Sequence, residues 1–116
     1  MPTVAFLEAY AEAFNRHDID AIMSAMTEDT VFIPSSDARI EGYEAVREVF
    51  ADIFASYPDA RWTNDVHYVS GSRGLSEWVM TGTDVEDGSK INARGCDVFT
   101  FDNGLIAVKD SYLKST

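Results

Sequence analysis

The 116-residue chain carries 20 acidic and 9 basic residues, a formal charge of −11, with 46% of its residues apolar and 25% charged. That length supports one domain, 1–116, with a real core, and the composition is that of a folded soluble protein rather than a disordered one. Such negative charge repels phosphate backbones and anionic lipid, so neither nucleic acid nor a membrane surface is expected as a partner.

Cys96 is the only cysteine, which excludes an internal disulfide and a multi-cysteine metal site and fits a reducing cytoplasm. The opening MPTVAFLEAYAEAF has neither a basic leader nor an unbroken apolar run, and no later stretch approaches ~18 apolar residues. Export and membrane insertion are therefore not expected.

Leu7, Tyr10, Ala11 and Phe14 recur at helical intervals with Glu8 and Glu12 on an exposed edge, predicting a helix over 3–16. Asp18 is placed to cap a short second helix through about Met26, with Ile19, Ile22, Met23 and Met26 inward and Asp20 in its first turn. TVFIPS then reads as a strand that Pro34 confines to an edge or an end. From Gly42, the stripe Val46, Val49, Phe50, Ile53, Phe54 and Tyr57 predicts a third helix, stopped by Pro58. RWTNDVHYV, LSEWVMTGTDV, KINARGCDVFTF and LIAVKDSYL follow as strands separated by Gly-Ser, Asp-Gly and Asn-Gly turns. Helices first and an antiparallel meander last make an α+β domain with the helices on one face of a curved sheet.

Asp97 and Lys109 occupy the last two strands, where apolar residues would serve a core better. A two-residue Asn103-Gly104 loop would set Asp97 against Asp110, an unfavourable pairing of like charges. A three-residue loop with Gly104 in a left-handed bulge instead pairs Phe101 with Leu105, Phe99 with Ala107 and Asp97 with Lys109, and is the register expected. A two-residue turn at Asp87-Gly88 pairs Gly82 with Ala93, Met80 with Gly95 and Trp78 with Asp97. One face then holds Trp78, Met80, Gly82, Ala93, Gly95, Asp97, Phe99, Ala107, Lys109 and Ser111. Its small residues suggest a cavity bordered by Trp78 and a carboxylate. The other face, with Val79, Thr81, Arg94, Cys96, Val98, Thr100, Ile106, Val108 and Tyr112, is too apolar to stay wet and suggests a twofold homodimer.

YAEAFNRHDIDAIMSAMTEDTVFIP, EGYEAVREVF and GCDVFTFDNGLIAVKDSY, in that order, resemble the nuclear transport factor 2-like superfamily, in particular its SnoaL-like branch. The resemblance spans nearly the whole chain. It implies a cone-shaped α+β barrel, with three N-terminal helices on a strongly curved, mainly antiparallel sheet, usually as a homodimer. Ketosteroid isomerases of this superfamily pair a Tyr on the first helix with an Asp near the end of the sheet as oxyanion binders, and Tyr10 and Asp97 match these positions. Their base position, just before Pro34, holds Ile33. Lys109 adds a positive charge beside Asp97, whereas the isomerases keep the corresponding carboxyl protonated, so their steroid chemistry is not expected here.

The expected site has Asp97 as acid or base, with Tyr10 and Lys109 stabilising developing negative charge. Its walls are expected from Trp78, Met80, Phe99, Tyr68, Phe54 and Ile33. His17 and His67 read as structural or solvated. No histidine pair has ligand spacing, and neither a Gly-x-Ser-x-Gly elbow nor a phosphate loop occurs, so no metal or cofactor is implied. The expected function is cofactor-independent isomerase-, cyclase- or hydratase-like acid/base chemistry on a small, largely apolar or aromatic carbonyl compound. A non-catalytic metabolite binder and a dimeric protein-interaction module are the alternatives.

Overall fold

A computed structural model describes residues 2–36 and 38–115, with side chains through Lys114. In chain order the elements are α1 (Val4–Asn15), α2 (Ile19–Ser24), β1 (Met26–Ile33), β2 (Ile40–Glu41), α3 (Tyr43–Ser56), β3 (Arg61–Ser70), β4 (Arg73–Thr83), β5 (Lys90–Asp102) and β6 (Leu105–Ser115). The six strands form one open sheet in the order β2-β1-β6-β5-β4-β3. β1 runs parallel to β6 and every other pair is antiparallel. Among the described residues no helix is long and apolar enough to cross a membrane.

Thr3 caps α1 by accepting from the Phe6 N–H, and Leu7, Tyr10, Ala13 and Phe14 form the buried stripe. His17 turns the chain in a left-handed conformation (φ 55°) and stacks on Phe54 at 4.2 Å, with Nε2 3.0 Å from the Ala60 carbonyl. Asp18 caps α2 through the Ala21 N–H. That helix ends at Ser24 instead of about Met26, because strand pairing begins there: the Ile106 N–H donates to the Ala25 carbonyl and Met26 lies beside Ile106. The short edge strand β2, against Val31 and Phe32, has no counterpart in the sequence expectation. α3 buries Val46, Phe50 and Phe54 of its stripe.

Two hairpins differ in register from expectation. Between β4 and β5 the loop spans Asp84–Ser89, closed by Asp84 N–H to the Ser89 carbonyl (2.8 Å) and by the Asp84 and Asp87 carboxylates accepting from Glu86 and Ser89 N–H groups. Trp78 therefore faces Gly95 and Met80 faces Ala93, two residues from the expected pairs. An even shift leaves each side chain on its expected side of the sheet.

The β5–β6 turn has only two residues, Asn103 and Gly104, both at positive φ, so the three-residue loop is incorrect. Phe101 pairs with Ile106 but Thr100 pairs with Val108, which leaves Ala107 as a bulge. Asp97 faces Ser111 and Phe99 faces Lys109, in place of the Asp97–Lys109 and Phe99–Ala107 pairs. The bulge also reverses the expected side of Ile106: it is completely buried, and Lys109 three positions later is buried on the same side. Thr30, fully buried on β1, lies against this bulge. Its hydroxyl lies 3.1 Å from the Ile106 carbonyl and 3.3 Å from that of Ala107, satisfying carbonyls at the irregular ladder.

The small residues do not leave gaps. A Cβ on Gly95 would meet the Trp78 ring at 2.6 Å and the Tyr112 carbonyl oxygen, so the glycine lets Trp78 lie flat across β5. A Cβ on Gly82 would sit in ordinary contact with Tyr57 and Ala60, at 3.4–3.5 Å. Between the helices and the sheet lie a core that includes Leu7, Ile22, Met23, Phe50, Phe99 and Ile106 and the cavities beside it.

Candidate functional site

Asp97 and Lys109, 6% and 5% exposed, are diagonal neighbours on β5 and β6. Lys109 Nζ donates to Asp97 Oδ2 at 2.9 Å, Trp78 Nε1 donates to the same oxygen at 3.0 Å, and Ser111 Oγ donates to Oδ1 at 2.5 Å. A carboxylate offers about four lone-pair sites, and these three donors leave the free one on Oδ1. Three rings surround the Lys109 ammonium, with centroids at 4.5 Å (Phe14), 4.9 Å (Tyr10) and 5.2 Å (Phe99). Ring faces stabilise a desolvated cation, which offsets part of the cost of burying it.

Two cavities meet at the pair. One, of about 220 Å³, is lined by Asp97, Lys109 and Ser111 together with Phe32, Phe50, Trp62, Pro34 and Leu113. The other, of about 30 Å³, lies toward α1 and β3 and is bordered by Tyr10, His67, Ser76, Asp97 and Lys109.

Of the expected walls, Trp78 and Met80 line the larger cavity and Phe99 the smaller. Phe54 is buried against Phe14, His17 and Trp62, away from both linings. Phe32 occupies the wall in place of its neighbour Ile33, and Tyr68 is 51% exposed on the outer side. A bulge at Asn64 and Asp65, with Asn64 at φ 55°, turns both Trp62 and His67 inward and leaves Tyr68 outward. Asn15 fastens this bend: its side-chain amide donates to the Trp62 carbonyl at 2.9 Å and accepts from the Trp62 N–H at 2.8 Å.

The Tyr10 hydroxyl points to the Met26 sulfur at 3.7 Å, so its ring, rather than its oxygen, is what touches the charge pair. Burial, and then the Asp97 charge, raise this phenol well above its ordinary value of 10.0. Sequence reasoning placed Ser111 on the right face but gave it no role, and passed over Ser76; both become visible only once the strand partners of Asp97 are known. Among the described residues no group of three or more His, Cys, Asp or Glu could hold a metal ion.

The SnoaL-like domain family model matches residues 7–109, so the geometry sits in a recognised frame. A proposed polyketide cyclase of Xanthomonas campestris pv. campestris is 27% identical with a TM-score of 0.82, the match covering 91% of this chain and 85% of that one. A second proposed polyketide cyclase, from Pseudomonas putida KT2440, is 22% identical with a TM-score of 0.89, over 97% and 91% of the two chains. A protein of ketosteroid isomerase-like fold from Catenulispora acidiphila DSM 44928, in complex with trimethylamine, is 17% identical with a TM-score of 0.81, over 91% and 82%. No curated protein sequence gives a significant match.

Two outcomes test the site's energetics. Lys109→Met should destabilise the fold by about 3–5 kcal/mol in denaturant unfolding, because Asp97 would be left buried without its cation. Tyr10 gives an alkaline signature. The unfolded phenol ionises near pH 10 while the folded one keeps its proton, so its contribution is full below pH 10 and is lost as pH rises toward the folded value. Tyr10→Phe should flatten the fall in stability between about pH 9.5 and 11. The chain, with this helix-covered sheet and residues 7–109 matched, belongs to the SnoaL-like domain family.

Proposed function

We propose that this protein is a cofactor-independent acid/base enzyme that moves a proton on a small, largely apolar carbonyl compound, as an isomerase or cyclase does. The observation that carries this reading is a buried carboxylate with one unfilled lone-pair site, on the floor of an aromatic-walled cavity. An engineered cavity of about 150 Å³ holds benzene, so about 220 Å³ suits one or two rings, and anything larger projects beyond it.

In this reading Asp97 Oδ1 takes a proton from the carbon beside the carbonyl: the C–H bond breaks, an O–H bond forms, and the electron pair moves onto the carbonyl oxygen. Lys109 uses one of its three N–H donors on Asp97 and offers another to that oxygen. Returning the proton to a different carbon gives isomerisation. Attack of the enolate carbon on a second carbonyl gives cyclisation. Trp78 and Ser111 hold the carboxylate in one orientation through both steps. The likeness to proposed polyketide cyclases supports the carbonyl substrate class.

The outward side of the sheet, with half-buried Val79, Cys96 and Val98 and exposed Tyr112, is proposed as the seat of a second copy, and the protein as a homodimer.

Loss of α-hydrogens from small cyclic ketones such as 1-indanone in deuterium oxide, followed by proton NMR, reads the chemical step without knowledge of the natural product. Asp97→Asn should slow it by ~10²–10⁴-fold while the ketone still gives a thermal shift. Exchange at the wild-type rate in that variant would remove Asp97 from the chemistry, and retained binding without exchange in the wild type would favour a metabolite carrier.

A further inference from the structure

The acid/base reading leaves unused a chain of buried polar groups beside Asp97. His67 Nδ1 lies 2.7 Å from Ser76 Oγ, and His67 Nε2 lies 2.8 Å from Asp65 Oδ2. The His67 side chain is 4% exposed and Ser76 5%, whereas the Asp65 side chain is 39% exposed. Ser76 is the cross-strand partner of Asp97. The chain therefore runs from solvent to the strand neighbour of Asp97, ending at the small cavity that Asp97 and Lys109 also border.

Asp, His and Ser in sequence suggest a serine nucleophile, but the space beside Ser76 excludes one. At about 30 Å³ it has no room for an acyl group. It has room for one water, which needs some 10–15 Å³ and two to four polar partners, and Ser76, Asp97 and Lys109 can supply them.

We propose that Asp65, His67 and Ser76, with one water in this cavity, form a proton relay that connects the free site on Asp97 Oδ1 to solvent, the two cavities meeting at Asp97 and Lys109. This rests on the acid/base role proposed for Asp97. After Asp97 has taken a substrate proton, its O–H gives that proton to the water, which passes one of its own to Ser76 Oγ. The Ser76 hydroxyl proton moves to His67 Nδ1, and the imidazolium so formed releases its Nε2 proton through Asp65 to bulk water. Each transfer breaks one bond to hydrogen and forms one, with one proton delivered outside, and the reverse sequence reloads Asp97. The charged or titratable groups facing His67 across the cavity are Tyr10 on α1, Asp97 on β5 and Lys109 on β6, with Asp65 on its own strand. The bulge at Asn64 and Asp65 is what turns His67 into this position. His67 and Ser76 are positioning residues of the relay and do not reach the ligand cavity.

The test uses His67→Gln and Ser76→Ala in the 1-indanone exchange assay, with small buffers as external proton carriers. Both variants should lose about 10-fold in deuterium incorporation at saturating ketone with KM unchanged, less than Asp97→Asn loses, and added imidazole should restore most of it. Wild-type rates in both variants, or a loss that imidazole does not relieve, would overturn the relay. A crystal structure at about 1.5 Å or better is the second arm and is independent of turnover. A water bonded to Ser76 Oγ and the Asp97 carboxylate supports the relay, and a dry or collapsed cavity refutes it. If the wild type exchanges no ketone hydrogen although that water is in place, the acid/base reading fails and the connection from Asp97 to solvent stands.

Discussion

Everything at the centre of this protein depends on one extra residue in β6. Ala107 bulges out of the ladder, so Ile106 and Lys109 both point inward although they are three positions apart. Without the bulge, alternation would put one of them outside: either the core would lose a completely buried isoleucine or the ammonium would leave Asp97. Thr30 makes the irregularity tolerable by donating its hydroxyl between the Ile106 and Ala107 carbonyls. A buried threonine on the first strand thus supports the bulge that turns Lys109 inward.

A buried charge pair adds little net stability by itself. Two ions removed from water lose several kcal/mol of hydration each, and well-packed apolar residues often serve a fold as well or better. Here the desolvation is offset by three donors on the carboxylate and three rings around the ammonium. Such an arrangement costs little reorganisation when charge develops nearby, which is the requirement for electrostatic stabilisation of a reacting oxygen. The two irregular strands act together. The β3 bulge turns Trp62 and His67 inward on one side of Asp97, and the β6 bulge presents Lys109 on the other. Gly95 lets Trp78 lie low enough to reach the carboxylate with its indole nitrogen.

The elements were largely legible in the sequence, since Leu7, Tyr10 and Phe14, then Val46, Phe50 and Phe54, carry a helical period that burial confirms. Legible too was the meeting of Asp97 with Lys109, although the reasoning reached it through a register that does not occur. Like charges facing each other argued correctly against Asp97 opposite Asp110, but the molecule avoids that clash with a bulge rather than a longer turn. Bulges are supported by partners distant in sequence, such as Thr30 for Ala107, and a period-2 reading of one strand cannot register them. For the same reason Ile106 was expected outside. Small residues misled in another way. Gly95 looked like a gap, yet it seats the ring of Trp78 from the neighbouring strand.

The most direct measurement is a crystal structure with a small phenol such as 2-naphthol, whose oxygen stands in for that of an enol. The account predicts its rings between Phe32, Phe50 and Trp62, with the oxygen about 2.7–3.2 Å from Asp97 Oδ1 or Lys109 Nζ. A phenol seated only on the outer side of the sheet, or Asp97 and Lys109 found apart with Lys109 turned to solvent, would contradict it.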